Sequence, residues 1–309
     1  MKICLDINNS IRLQWLDIAK GLTIILMVLG HTSIPEIVSR FIWAFHMPLF
    51  FIASGWTTNQ KKKNLVVFTS HKFRTIMIPF FVYSAIVLTI EKIALRGGVI
   101  FQNWLEKGWQ GYALWFIPVL FLSSILGKLI YLVNNRYCRY LLMVILVIIG
   151  ASLRSFKIEV PWTLYSMPYA CFLILLGTEL RQLQSYINTP RWWLLIGGFV
   201  VTVVISRFWK MDMAWNNILP VLPLTIGAVA GTLMMFSLSA YIEKYSVYAT
   251  KWLSKIGQET FVVVAFSQII MMVMIQYTSW SNLIRYLILA VSLVSIVVIK
   301  NFIKKLLTR

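Results

Sequence analysis

Arg12–His31 reads RLQWLDIAKGLTIILMVLGH, and this stretch decides the fold. Its centre, Leu22–Leu29, is apolar apart from Thr23, while Arg12, Asp17, Lys20 and His31 stand around it. A helix of about 20 mostly apolar residues crosses the hydrocarbon of a bilayer, so the run has the length of one membrane span. A secretory signal peptide has a short apolar region and a small-residue cleavage site; the polar Met1–Ser10 and the long run behind it lack that form. At ~1.5 Å and ~100° per residue, Asp17 and His31 stand about 21 Å apart along the helix axis and only about 40° apart around it. Lys20, Gly21 and Val28 fall on the same side. One face therefore carries polar groups near both membrane boundaries, and it is expected to turn into a bundle rather than to lipid. Asp17 and Lys20, three residues apart, are placed to pair.

Working outward, comparable apolar runs recur at 40–58, 74–95, 112–133, 139–156, 162–181, 191–209, 216–240, 258–278 and 282–303. No linker of domain size separates them and no internal repeat is visible. The expectation is a single integral membrane domain over 1–309, an all-α polytopic bundle of about ten transmembrane helices. The fifth run is short and the second is interrupted by Pro48 and Gly55, so either could be kinked, tilted or re-entrant. Composition agrees with lipid as the solvent: 59% of residues are hydrophobic and only 13% charged, against roughly 25% charged in a soluble domain.

The formal net charge of +19 raises the question of a nucleic-acid partner. Such a partner needs basic residues gathered on one soluble face, whereas here they sit in short segments between apolar runs. With the amino terminus inside, 19 of the 29 basic residues fall in inside segments and nine outside, with Lys20 within the first run. The positive-inside bias places both termini in the cytoplasm, in keeping with an even number of spans. Trp15, Trp104, Trp109, Trp192, Trp209 and Trp252 stand near run ends and read as interfacial anchors. Cys4, Cys138 and Cys171 form no CxxC pair and point to neither a disulfide framework nor zinc.

Ionisable groups inside a membrane are costly and mark functional sites by default. The first run is the richest in them. The second adds His46, in Phe45-His46-Met47-Pro48; a short connection joins the runs, so His31 and His46 are both expected towards the outer face. A neutral imidazole titrating near pH 6.5 suits a general base that deprotonates a hydroxyl, though either ring can equally serve as a hydrogen bond between helices. Asn59–Arg74, with Lys61-Lys62-Lys63, reads as a cytoplasmic loop beside anionic headgroups. Arg74, opening the third run, is the better ligand contact, because a planar guanidinium matches phosphate oxygens. Trp115 could stack on a sugar or adenine ring, or simply pack. Glu179 and Glu259 read as partners of helix ends or nearby lysines. The sequence contains no Walker loop, HExxH, GxSxG or metal-spaced His/Cys cluster.

Together these residues resemble a known family. Arg12-Leu13-Gln14-Trp15-Leu16-Asp17-Ile18-Ala19-Lys20-Gly21, ending in Gly30-His31, resembles the opening motif of the acyltransferase-3 family of membrane O-acyltransferases. Phe45-His46-Met47-Pro48-Leu49-Phe50-Phe51 with Ser54-Gly55 is similar to its second-helix motif, and Lys72-Phe73-Arg74 before Pro79 to the basic element opening its third. Leu114-Trp115-Phe116-Ile117-Pro118 is similar to a motif of the branch related to fucose 4-O-acetyltransferases. Ala265-Phe266-Ser267-Gln268 departs from the pattern, since relatives often carry a histidine there.

The resemblance implies transfer of an acyl group, usually acetyl, from cytoplasmic acyl-CoA to a sugar hydroxyl of a cell-surface or lipid-linked glycan, in a bacterial plasma (inner) membrane. It implies a catalytic set of His31, His46 and Asp17, and donor or substrate contacts from Arg12, Lys20, Arg74 and Trp115. Arg74, with Arg12, would engage CoA phosphates; His31 would activate the acceptor hydroxyl or relay the acyl group; Asp17 and Lys20 would order the inner part of the first helix. Acyl-CoA would be a co-substrate, with no bound cofactor and no metal. The competing reading is a transporter or flippase for a glycan precursor or small anionic solute, because a polar face inside a bundle also marks a transport pathway.

Overall fold

The computed structural model describes residues 13–32, 34–58, 64–95, 113–157 and 160–307; Cys4, Arg12, Lys61-Lys62-Lys63, Trp104 and Trp109 lie outside them. The described chain is helical throughout, apart from turns and one isolated bridge between Asp212 and Asn217. The principal helices are α1 (Gln14–Gly30), α2 (Glu36–Thr57), α3 (Leu65–Ala94), α4 (Phe116–Tyr131), α5 (Arg136–Ser155), α6 (Met167–Leu180), α7 (Trp192–Phe208), α8 (Val221–Tyr245), α9 (Val247–Gln258), α10 (Thr260–Tyr277) and α11 (Asn282–Leu307). Each of the ten apolar runs carries one of them, and the twelve-residue α9 falls between the eighth and ninth runs. By length and composition, eight helical stretches among the described residues suffice to cross a membrane, and α1 and α7, at 17 residues each, are shorter. The protein is an all-α polytopic bundle.

Several expectations need correction. The segment read as a loop up to Arg74 is helical from Leu65, because Asn64 caps its start through Val66 N–H at 3.1 Å. This lead joins the apolar part of α3 through one π turn, Phe73–Met77, without a break. The second run stays helical through Pro48 rather than re-entering, and the fifth is a full 20-residue helix rather than a short one. The eighth begins at Val221 rather than 216, because Asp212–Asn217 is tied into a turn of its own. Trp15 is not an interfacial anchor: it is buried, with its ring edge-on to Trp56 at 5.4 Å and to Phe236 at 5.1 Å. Trp192, Trp209 and Trp252 are exposed, as anchors should be.

Helices in lipid approach closely where small residues let backbones meet. A β-carbon on Gly21 of α1 would strike the Leu253 carbonyl of α9, and one on Gly257 would strike the Asp17 carbonyl. The same device joins α2 to α6, where Gly55 faces the Ile174 carbonyl and Gly177 that of Ile52. α2 thus becomes the central staff of the bundle, with Phe45, Leu49, Phe51, Ile52 and Trp56 fully enclosed. That seam fixes where His46 stands.

Candidate active site

The two ends of α1 hold the polar groups that its sequence promised. At the start, Lys20 Nζ lies 2.6 Å from a buried Asp17 carboxylate, forming the expected pair. At the far end, His31 closes the last turn, its backbone N–H bonded to the Met27 and Val28 carbonyls, and the residue stands exposed. α2 runs back beside it, and Trp43 Nε1 donates to the Gly30 carbonyl at 3.3 Å. The two connected helices therefore bring His31 and His46 together, ring centroids 6.4 Å apart and planes nearly perpendicular at 89°. One oxygen at ~2.8 Å from a nitrogen of each ring fits such a spacing.

His46 is buried, and its Nδ1 lies 3.1 Å from the Ile42 carbonyl oxygen. A carbonyl only accepts, so Nδ1 carries the proton and Nε2 keeps a lone pair. Pro48, two residues on, removes one helical amide and loosens the ladder beside this turn.

Both imidazoles line one cleft with about 510 Å³ of empty space, its open mouth included. α1 contributes Ile24, Met27 and His31, and α2 contributes Trp43, His46, Met47 and Phe50. The short helical turn Ala113–Trp115 adds Ala113 and Trp115, α4 adds Phe116, and α10 adds Val264. The remaining wall is a loop between α7 and α8, Met211-Asp212-Met213-Ala214. The walls are mostly apolar with a few convergent polar groups, the usual character of a small-molecule site.

Of the expected residues, the cleft gathers His31, His46 and Trp115. Asp17 and Lys20 stand at the other end of α1 and are not among its lining residues. Arg74 is exposed on the π turn of α3, also away from the histidines. Glu259 pairs with a lysine, Lys300, as expected, whereas Glu179 accepts from a glutamine, Gln182 Nε2, at 2.7 Å. Ser267 is buried on α10, while the next residue, Gln268, accepts the Ala113 N–H at 2.8 Å and helps hold the Trp115 turn.

Two cleft residues escape a reading of the sequence. Trp43 is one of 13 tryptophans with nothing to mark it, yet it lies 5.7 Å from His31 and 6.3 Å from His46, with Lys210 Nζ over its ring at 4.5 Å. Asp212 stands in a plain connection between two apolar runs. Burial pushes its carboxyl above the usual carboxylate range, opposed by Lys210, by the Ala214 and Trp215 N–H groups and by Arg154. Its only sequence signal is rarity: the chain has ten acidic residues in all. Among the described residues, no group of three or more His, Cys, Asp or Glu side chains is arranged to hold a metal ion.

Comparison with curated proteins and with solved structures found no match. A family model described as an acyltransferase domain, Acyl_transf_3, matches residues 13–301, nearly the whole chain and all the helices that build the cleft. This chain, with its paired histidines at the meeting of α1 and α2, belongs to the acyltransferase-3 family of membrane acyltransferases.

Proposed function

We propose that the protein transfers an acyl group, acetyl in the first instance, from cytoplasmic acyl-CoA to a hydroxyl of a cell-surface or lipid-linked glycan. The observation that carries this reading is the convergence of His31 and His46 in one cleft, with the His46 tautomer fixed by the Ile42 carbonyl. His46 Nε2 takes the proton of the acceptor hydroxyl while His31 holds that hydroxyl between the two rings. The oxygen attacks the thioester carbonyl, the carbon–sulfur bond breaks, and His46 returns the proton to the CoA thiolate. Water is kept back by Phe50, Phe116 and Met213 in the cleft wall. Trp115 supplies a flat apolar face for a sugar ring.

Asp17 and Lys20 belong to the scaffold in this scheme: they pair with each other within α1, at the level where Gly21 and Gly257 bring its backbone against α9. Arg74, exposed on its π turn, meets CoA phosphates on the cytoplasmic side, and Arg12 is proposed to join it. The positive-inside bias supports that orientation and places both termini in the cytoplasm, in a plasma membrane of bacterial type. The Trp115 motif favours the branch related to fucose 4-O-acetyltransferases.

The test is transfer of label from radioactive acetyl-CoA, given on the cytoplasmic side of membrane vesicles that contain glycan, comparing wild type with His31→Ala at matched folded protein. Label on glycan with wild type and its loss in the variant support the proposal. Equal labelling removes His31 from the chemistry. Silence with a panel of acyl-CoAs and glycan extracts, together with solute passage through the protein, turns the reading to transport.

A further inference from the structure

Residues 209–220, between α7 and α8, are tied down more firmly than a connection requires. Asp212 N–H donates to the Asn217 carbonyl at 3.0 Å, and Asn217 N–H donates back at 2.7 Å. Asn216 adopts a left-handed φ of 49°, and its side-chain amide donates to the Gly150 carbonyl of α5 at 2.9 Å. Tyr165 donates to the Ala214 carbonyl at 2.6 Å, and Ser166 donates to that of Met213. These bonds anchor the loop to α5 and to the turn Pro161–Ser166 ahead of α6. Met211–Ala214 is thereby fixed as a wall of the histidine cleft that belongs to neither α1 nor α2.

Asp212 is the acidic residue of that wall. The carboxylate takes the Ala214 N–H at 3.1 Å and is also held by the Trp215 N–H, and among the described residues neither imidazole is hydrogen-bonded to it. The carboxylate therefore orients no histidine, and its remaining lone pairs are available to a ligand in the cleft. A carboxylate accepts hydrogen bonds and donates none. The reacting thioester carbonyl and sulfur offer it no proton, and the pantetheine arm behind them offers only two amide N–H groups and one hydroxyl. A polyhydroxylated acceptor instead offers hydroxyls on the carbons next to the one that reacts.

We propose that Asp212 is an acceptor-positioning residue, accepting a hydrogen bond from a hydroxyl next to the one that reacts. It selects which hydroxyl of a polyhydroxylated acceptor reaches the histidines. This inference rests on the acyl-CoA transfer reading given above. Lys210, stationed over the Trp43 ring, offsets the Asp212 charge.

Asp212→Asn tests it. Asparagine caps a helical turn as well as aspartate does, so the loop keeps its shape while the charge is lost. Wild type and variant in proteoliposomes receive acetyl-CoA and p-nitrophenyl glycosides, each alongside its set of monodeoxy analogues. Wild type is expected to penalise one monodeoxy analogue by about tenfold or more in kcat/KM, the worth of a hydrogen bond to a charged group. The variant is expected to raise KM for the parent glycoside by a similar factor, to hold kcat within about threefold, and to lose the monodeoxy penalty. A variant with wild-type KM and every penalty intact overturns the proposal, as does one that lowers kcat alone. Wild type that consumes acetyl-CoA and labels no glycoside overturns the polyhydroxylated acceptor while leaving thioester chemistry standing. Wild type that consumes no acetyl-CoA under any condition overturns both readings.

Discussion

Around Asp17, α1 is closed in by its neighbours; around His31, the same helix stands beside empty space. At the first end, Gly21 and Gly257 bring α1 and α9 into backbone contact, Lys20 neutralises Asp17, and Trp15, Trp56 and Phe236 interlock. At the other end, two imidazoles, two indoles and a carboxylate border one open cleft. Both ends carry costly polar groups in a membrane, but the Asp17–Lys20 pair lines neither that cleft nor the one that Gln14 and α9 border nearby, whereas the two imidazoles face theirs directly. An intramembrane charge is therefore read by what surrounds it: enclosed and paired, it orders the bundle; beside a cavity, it can react.

The sharpest break of this contrast is His46→Ala. Loss of a positioned general base is expected to lower acyl transfer by about 10²–10⁴-fold, with the thermal unfolding midpoint in detergent close to wild type. A variant that instead unfolds early and keeps its kcat would put His46 on the structural side. Next comes Gly257→Val, whose side chain must displace the Asp17 carbonyl. An overpacked site of this kind costs about 1–3 kcal/mol, read as a lower unfolding midpoint and less monodisperse protein, with kcat per folded molecule unchanged.

Asp17→Asn is expected to act in the same way through the broken pair. Removing one partner of a buried pair costs about 3–5 kcal/mol at the limit, and Lys20, a quarter exposed, can recover part of this from water. About 2 kcal/mol of lost stability is therefore expected, with KM for either substrate unmoved. Arg74→Ala sharpens the contrast from outside: a lost charge-assisted bond of about 1.5–3 kcal/mol raises the acyl-CoA KM and leaves the acceptor KM alone. The smallest effect belongs to α11, whose apolar window is 6% buried against 61% for α2. Val291→Ala there is expected to change stability by less than about 0.5 kcal/mol.

The spans are legible in the sequence because a bilayer demands long apolar runs, and length and hydropathy are local properties. Leu22–Leu29 within α1 and the run Asn282–Ile303 in α11 both declare themselves in this way. The helical lead Leu65–Lys72 and α9 do not, since each is too short or too polar to count as a span. The packing of Trp15 is not local either. Its partners Trp56 and Phe236 lie on α2 and α8, so a tryptophan at the end of a run reads as an anchor until the helices are assembled. In the cleft, His31 and His46 are legible because a short connection forces their two helices together. Asp212 is not, because its place depends on Asn216, Tyr165 and Ser166 reaching across the fold to hold one loop.

The most direct test of the central claim is a cycle of His31→Ala, His46→Ala and the double variant, with acetyl transfer measured per folded molecule in proteoliposomes. Groups that act as a unit are strongly non-additive. Each single variant is expected to lose nearly all the activity, and the double variant to lose little more than either. Single variants with near wild-type rates, or two modest losses that simply multiply in the double, would contradict a shared reacting centre at the His31 end of α1.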